Sequence, residues 1–161
     1  MINWNEKPQE IAYLFNPSFL ASIILYALDG YGECMPFTEV YLICPLILHK
    51  ETRGRISSSQ RSSLYSWAMK NEDVLADFPE RASALVVYAN EAIEFLLGYK
   101  LIEITKEGIM RTSVNKRIQL SKILELDGEI SDCMKKAKCI GRWFFKMHTP
   151  DNIYSALGVR P

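Results

Sequence analysis

The sequence has little that would identify a catalytic centre. Its two histidines, His49 and His148, lie in no recognisable catalytic motif. The glycine-rich motifs GxGxxG and GxxxxGKS/T are absent, so the usual phosphate-binding loops are lacking. None of the four cysteines forms a CxxC pair, and no Cys/His spacing of the zinc type occurs. We therefore expect a protein without enzyme activity, metal or other cofactor.

The sequence also lacks a net charge, a long apolar run and a secretion signal. Its 161 residues include 19 Lys and Arg against 19 Asp and Glu, which excludes a strongly basic coat for nucleic acids. The most apolar stretches, 19–28 and 37–48, are shorter than the about 20 residues that span a bilayer. Residues 1–8 have neither a basic start nor an apolar run. These absences predict a cytoplasmic protein with reduced cysteines and no membrane partner.

The first third of the chain is predicted to be helical. Asn16-Pro17 indicates a helix start, because Asn caps free N–H groups and Pro tolerates the first helical position. Met35-Pro36 is predicted to restart a helix, which Pro45 is expected to kink or split. Residues 49–61 are basic and rich in serine, which indicates an exposed loop before the next helix.

The middle of the chain predicts a long helix followed by a β-hairpin. Pro79 opens the helix and Gly98 ends it. Residues 101–104 and 109–112 have strand character and flank a turn that contains Gly108. Helices followed by a hairpin are the chain order of a winged-helix domain. One apolar stripe follows the long helix: Ala82, Leu85, Val86, Ala89, Ile93, Leu96 and Leu97.

The last third is predicted to be helical again, and Asp151 or Asn152 is predicted to cap a short final helix. The chain, 1–161, is therefore predicted to be one domain, mainly α with a small β-hairpin. Residues from about 1 to 115 form helices and a winged-helix-like hairpin, and those from about 116 to 161 form a C-terminal helical extension. Five apolar residues repeat on one face of that extension: Ile130, Cys133, Ala137, Ile140 and Phe144.

Two basic regions are candidates for contact with a partner. Cations on a flexible segment reach phosphate groups, but a basic face also suits a protein interface or plain solvation, and the pattern leaves these alternatives open. The first region holds Lys50 and three candidate nucleic-acid contacts, Arg53, Arg55 and Arg61. The second lies on the C-terminal helix: Lys135, Lys136, Lys138, Arg142 and Lys146.

Aromatic residues beside basic ones favour a protein interface. Trp143-Phe144-Phe145 follows Arg142 directly, and Trp4 lies near the N-terminus. Exposed Trp, Tyr and Arg are typical anchors of protein–protein contacts. Core packing is the alternative for each of these aromatic side chains, and the sequence leaves that choice open.

The order of several short segments resembles the small middle component of bacterial three-component ABC-ATPase systems. The resemblance runs from the first residues to the last. It rests on Trp4 with Lys7-Pro8-Gln9-Glu10, Asn16-Pro17-Ser18-Phe19, Gly30-Tyr31, Met35-Pro36-Phe37, Pro45 to Arg53, Lys136-Ala137, Gly141-Arg142-Trp143-Phe144 and Leu157-Gly158-Val159-Arg160-Pro161.

This resemblance implies a role in defence systems of the Lamassu type, which act against phages or plasmids. There, an ABC ATPase similar to structural-maintenance-of-chromosomes proteins works with a middle component and an effector, commonly a nuclease. The expected role is a winged-helix-like, non-catalytic adaptor that meets DNA through the complex. The rival interpretation is a free-standing winged-helix DNA-binding regulator. Candidate partner contacts are Arg142, Trp143, Phe144 and Arg160, with His49, Lys50 and Arg53 as a second patch.

Overall fold

The computed structural model describes residues 16–32, 34–57, 59, 61–113 and 128–160. Trp4, Pro161 and the predicted boundary near residue 116 lie outside these ranges. The described residues are mainly helical, as predicted. Within these ranges the α-helices are α1 Pro17–Tyr31, α2 Val40–Leu48, α3 Lys50–Gly54, α4 Leu64–Lys70, α5 Glu72–Leu75, α6 Phe78–Gly98, α7 Glu129–Met147 and α8 Pro150–Ala156. The same ranges contain the strands β1 Cys34–Pro36, β2 Ile102–Ile104 and β3 Ile109–Thr112, and a 3-10 helix, Phe37–Glu39.

The first helix begins where the sequence predicts. The side chain of Asn16 accepts a hydrogen bond from the Ser18 amide at 2.9 Å, and Pro17 occupies the first turn, where its missing N–H costs nothing. Eight of the helix residues are buried, so α1 is covered on most of its circumference. It forms the centre of the core, with α7, α6 and α2 packed around it.

The prediction of a helix restarting at Met35-Pro36 is wrong. Residues Cys34–Pro36 form β1, and α2 begins only at Val40 after the short 3-10 helix. β1 pairs antiparallel with β3, so Met35 lies opposite Met110 and both side chains are buried. Pro36 fits here because β1 lies at the edge of the sheet. Pro45 lies inside α2 and does not split it.

The predicted hairpin is confirmed, and it belongs to a three-stranded antiparallel sheet with the order β1-β3-β2. Gly108 adopts a φ of 76° in the turn, a conformation that other residues rarely adopt. Ile102 and Met110 turn their side chains into the core. The sheet does not by itself show a winged-helix domain, so that part of the fold stays a prediction.

One continuous cluster of buried apolar side chains runs from Leu20 to Leu157. The C-terminal helix α7 contributes to its centre by packing along α1. The two helices approach closely at two glycines, since a Cβ at Gly141 would overlap the Ala27 carbonyl and one at Gly30 would overlap the Lys138 carbonyl. The predicted C-terminal extension therefore supplies part of the core.

Candidate interaction surfaces

Arg53 holds the first basic region against α7. Its guanidinium donates to Ile47 O at 2.8 Å, to Asp132 Oδ2 at 3.1 Å and to Glu129 Oε1 at 2.6 Å. The side chain is buried, so these bonds satisfy a charge that would otherwise be costly inside the protein. Arg53 thus joins α3 to the start of α7, and its side chain is buried and not at the surface.

The neighbouring segment is not the predicted loop over residues 50–54, because these residues form α3. Arg55 bonds Asp73 at 2.8 Å and Glu51 at 2.7 Å, and its carbonyl accepts a hydrogen bond from the Trp67 indole at 2.7 Å. Arg61 is exposed. Of the three arginines predicted to contact nucleic acid, two are therefore held in ion pairs with carboxylates of the same chain.

His49 caps α3 and lies in a polar network. Its Nδ1 accepts a hydrogen bond from the Thr52 amide at 3.3 Å and lies 2.6 Å from Thr52 Oγ1. Arg81 of α6 donates to the same Thr52 hydroxyl at 3.2 Å and also forms an ion pair with Asp77. Burial, together with the Arg81 charge, lowers the pKa of His49. Through the buried Thr52 hydroxyl, the network joins α3 to α6.

The structure favours core packing for Trp143 and Phe144. Trp143 is 1% exposed and Phe144 is fully buried. The Trp143 indole donates to Ser62 Oγ at 3.2 Å and lies 5.6 Å from the Trp67 ring. A direct contact of either side chain with a partner is therefore not available in this conformation. Both side chains pack in the core and hold the inner face of α7 against it.

The other predicted partner residues remain at the surface. Lys50 and Arg160 are exposed, and Arg142 is half-exposed on the outer face of α7. Arg160 follows α8, whose cap is Thr149 and not the predicted Asp151 or Asn152. The reason is that Pro150 takes the first helical position, so the residue before it, Thr149, is the cap. The assignment of Arg142 and Arg160 to one partner contact, and of Lys50 with His49 and Arg53 to a second patch, stays a prediction.

The cysteines are free thiols in the structure, as predicted. Cys44, Cys133 and Cys139 are buried, which raises their pKa values, whereas Cys34 is exposed. Cys139 Sγ lies 3.0 Å from Ser57 O. Over the described ranges, no group of three or more His, Cys, Asp or Glu side chains is arranged to hold a metal.

An open cleft lies between α4 and α8, and no sequence pattern predicts it. The cleft has a volume of about 300 Å³. Tyr65, which is 61% exposed, and Met69 stand at its α4 side. Most of its lining is apolar: Tyr65, Ala68, Met69, Glu72, Leu75, Ser155, Ala156, Leu157 and Gly158. Its existence depends on how α8 folds back onto α4, and a sequence pattern cannot show that.

A second apolar surface lies on the outer face of α6. The apolar stripe predicted to face the core is buried at five of its seven positions. The prediction is wrong for Val86 and Leu97, which are exposed, and Val87 beside them is exposed too. The helix is half-covered, so residues at the margin of its stripe turn towards solvent. Glu91 and Glu94 are exposed on the same helix, and neither forms an ion pair with a described residue. We call this surface the α6 face.

Among the described helices, none is long and apolar enough to cross a membrane. No curated protein and no solved structure matches the chain. The fold and its surfaces define a small, mainly helical component with open apolar surfaces and no evident catalytic site in its described part. The chain belongs to the family of ABC-three component (ABC-3C) system Middle Component 3, whose family model matches residues 4–161. It is thus the middle component of such a defence system, and membership implies association with the other components.

Proposed function

We propose that the chain is a non-catalytic adaptor that joins an ABC ATPase similar to structural-maintenance-of-chromosomes proteins to an effector, commonly a nuclease. The observation that carries this proposal is the pair of open apolar surfaces on separate elements, the cleft between α4 and α8 and the α6 face. Two independent surfaces suit a protein that binds two partners at once. Family membership supplies the class of those partners.

The cleft suits the insertion of an apolar side chain from one partner. Tyr65 and Met69 are large, exposed and next to a concave apolar lining, which is the setting of interface hot spots. Glu72 at the edge adds a carboxylate for a basic neighbour of the inserted group. The chain leaves the cleft at Gly158 and continues to the exposed Arg160, which extends the same surface.

The order of elements supports a winged-helix-like domain. A helix, a strand, further helices and a hairpin follow one another, and the first strand pairs with the last in the order β1-β3-β2. In this comparison, α6 is the helix that precedes the hairpin. Its outer face carries Glu91 and Glu94, which repel DNA phosphates. This charge supports protein contact and argues against insertion of α6 into a DNA groove.

The rival function, a free-standing DNA-binding regulator, has less support. It relied on Arg53, Arg55 and Arg61 with the hairpin, and the first two arginines form ion pairs with carboxylates of the chain. An adaptor, in contrast, needs only different affinities for two states of the ATPase, so that it holds the effector inactive in one state and releases it in the other.

Co-purification tests the adaptor role. A tagged copy of the chain, co-expressed with the ATPase and the effector of its system, is expected to capture both. Tyr65→Ser with Met69→Ser is expected to lose one partner, and Val87→Ser with Leu97→Ser the other, because each pair removes apolar contact area from one surface. Ile130→Ser serves as a matched control, since Ile130 is an exposed apolar residue on α7.

The measurement is the amount of each partner retained, with the melting temperature of every variant recorded alongside. Failure of the unmodified chain to capture either protein contradicts the adaptor role. Full retention of both partners by the two double variants contradicts the assignment of these surfaces.

A further inference from the structure

The outer face of α7 is a continuous row of cations. Within this helix the charge changes abruptly, since no carboxylate occurs between Asp132 and Asp151. A helix rises about 1.5 Å per residue, so the row is about 16 Å long. It consists of residues at positions i, i+3, i+7 and i+11, and we call it the α7 stripe: Lys135, Lys138, Arg142 and Lys146.

Packing of the opposite face fixes the direction of the stripe. Cys133, Ala137 and Ile140 are buried against the core together with the aromatic anchors Trp143 and Phe144. Rotation of α7 about its axis would expose these side chains to water. Lys135 and Lys146 are therefore held exposed, and Lys138 and Arg142 partly so.

Two of the four cations in this row form no ion pair with a residue that the structure describes. Lys138 forms an ion pair with Asp29 of α1 at 2.8 Å. Lys135 and Arg142 form no ion pair with any residue in the described ranges. The stripe differs in this respect from Arg53 and Arg55, whose charges are balanced internally. Lys135 and Arg142 therefore give the stripe two cations that a polyanion can reach without breaking an ion pair within the described part of the chain.

The composition of the stripe favours phosphate groups over an acidic protein. Protein interfaces are depleted in lysine and enriched in arginine and aromatic residues, yet three of the four cations here are lysines. Duplex DNA, in contrast, places about one negative charge per 1.7 Å of its axis, which matches a straight row of flexible cations.

Single-stranded DNA fits the stripe less well. Single-strand binding uses several aromatic side chains on which successive bases stack. Beside the stripe, Phe145 is the exposed aromatic residue among those described, and its ring packs against Tyr31 with centroids 5.5 Å apart. One aromatic ring held in this way does not make a stacking platform.

We propose that the α7 stripe contacts the phosphate backbone of duplex DNA without reading its sequence. The proposal goes beyond the adaptor role, because it gives this chain a DNA contact of its own, on a different element from the cleft and the α6 face. The chemistry is ion pairing with release of condensed counterions, and it leaves base edges unread.

Fluorescence anisotropy of the isolated chain with a labelled duplex of about 30 base pairs tests the proposal. Between about 50 mM and 200 mM salt, the phosphate contacts of Lys135 and Arg142 contribute about −1.8 to the slope of log K against log salt, at about −0.9 for each contact. Lys135→Gln with Arg142→Gln is expected to weaken binding at low salt at least about tenfold and to reduce the slope by about 1.8. Lys70→Gln with Lys106→Gln is the matched control, because both lysines are exposed and distant in sequence from α7.

Several results would overturn the proposal: absence of binding, a slope near zero, or equal losses in the stripe and control variants. Tighter binding of the single strand would contradict the choice of duplex. Binding of poly-glutamate with no binding of the duplex would assign the stripe to an acidic protein. Since the assay contains neither ATPase nor effector, its result is independent of the co-purification that tests the adaptor role.

Discussion

At the scale of single residues, Glu39 is the least expected group in the protein. Its carboxyl is fully buried on the 3-10 helix between β1 and α2, and neither oxygen has a hydrogen-bond partner among the described residues. Burial raises the pKa of Glu39 from its usual 4.5 to about 8. Burial raises the pKa values of Tyr31 and Tyr154 as well, and the nearby Glu39 carboxyl adds to both shifts. The folded protein therefore keeps Glu39 protonated at neutral pH.

This burial makes stability depend on pH. The pKa of Glu39 is higher in the folded than in the unfolded chain, so its contribution is full below pH 4.5 and is lost as the pH rises to about 8. Glu39→Gln removes the ionisable group and keeps the shape. We expect the variant to gain about 1 to 4 kcal/mol over the original protein at about pH 9, relative to the difference at about pH 5.

Urea unfolding of both proteins at the two pH values measures this difference. Glu94→Gln is the control, because Glu94 is an exposed glutamate. An equal stability difference between Glu39→Gln and the original protein at both pH values would show that Glu39 does not stay protonated on folding.

The residue scale also shows what sequence patterns leave open. Arg53 is charged and Trp143 is aromatic. Their neighbours in the sequence suggest a surface position for both, yet both side chains are buried. For Phe144, the repeat of apolar residues along the helix indicated an inward face, whereas Trp143 lies outside that repeat and its burial had no such signal. For Arg53, the deciding partners, Glu129 and Asp132, are more than seventy residues away in the chain. Such a distant pairing has no local signal.

At the scale of elements, the packing of α1 on α7 depends on the two glycines at their crossing. Gly30 and Gly141 bring each helix backbone close to a carbonyl of the other. Buried helices with larger residues at the crossing stay farther apart. This contact explains why a glycine directly precedes Arg142-Trp143 in a helix, where glycine is otherwise unfavourable.

Gly141→Ala is expected to destabilise the protein by at least about 2 kcal/mol, because the added methyl group overlaps the Ala27 carbonyl and forces the helices apart. Gly98→Ala is the matched control. Gly98 ends α6 with open space around its Cβ position, so alanine there is expected to change stability by less than about 1 kcal/mol. Thermal unfolding measures both. A Gly141→Ala protein that unfolds at the original temperature would contradict the close crossing.

Much of the fold could be predicted at this scale, for physical reasons. Asn16-Pro17 marks the start of α1 and the turn at Gly108 marks the hairpin, because caps and tight turns depend on local chemistry. β1 could not be predicted, since a strand of three residues has no periodicity and exists only through pairing with β3. The cleft between α4 and α8 has the same origin in long-range packing.

At the scale of the whole molecule, the net charge of zero hides a separation of charge. The α6 face carries exposed glutamates, and the α7 stripe carries cations. A protein with separate acidic, basic and apolar surfaces presents different chemistry to different partners. This distribution is what a middle component needs if it holds other components together.

Reconstitution from purified components tests most directly whether this chain joins the ATPase to the effector. The ATPase, the effector and this chain are purified separately, and the masses of their mixtures are measured by size-exclusion chromatography with light scattering. We expect the ATPase and the effector to form one complex only when this chain is present. A complex of ATPase and effector that forms equally well without the chain, or a chain that joins neither, would contradict the adaptor role.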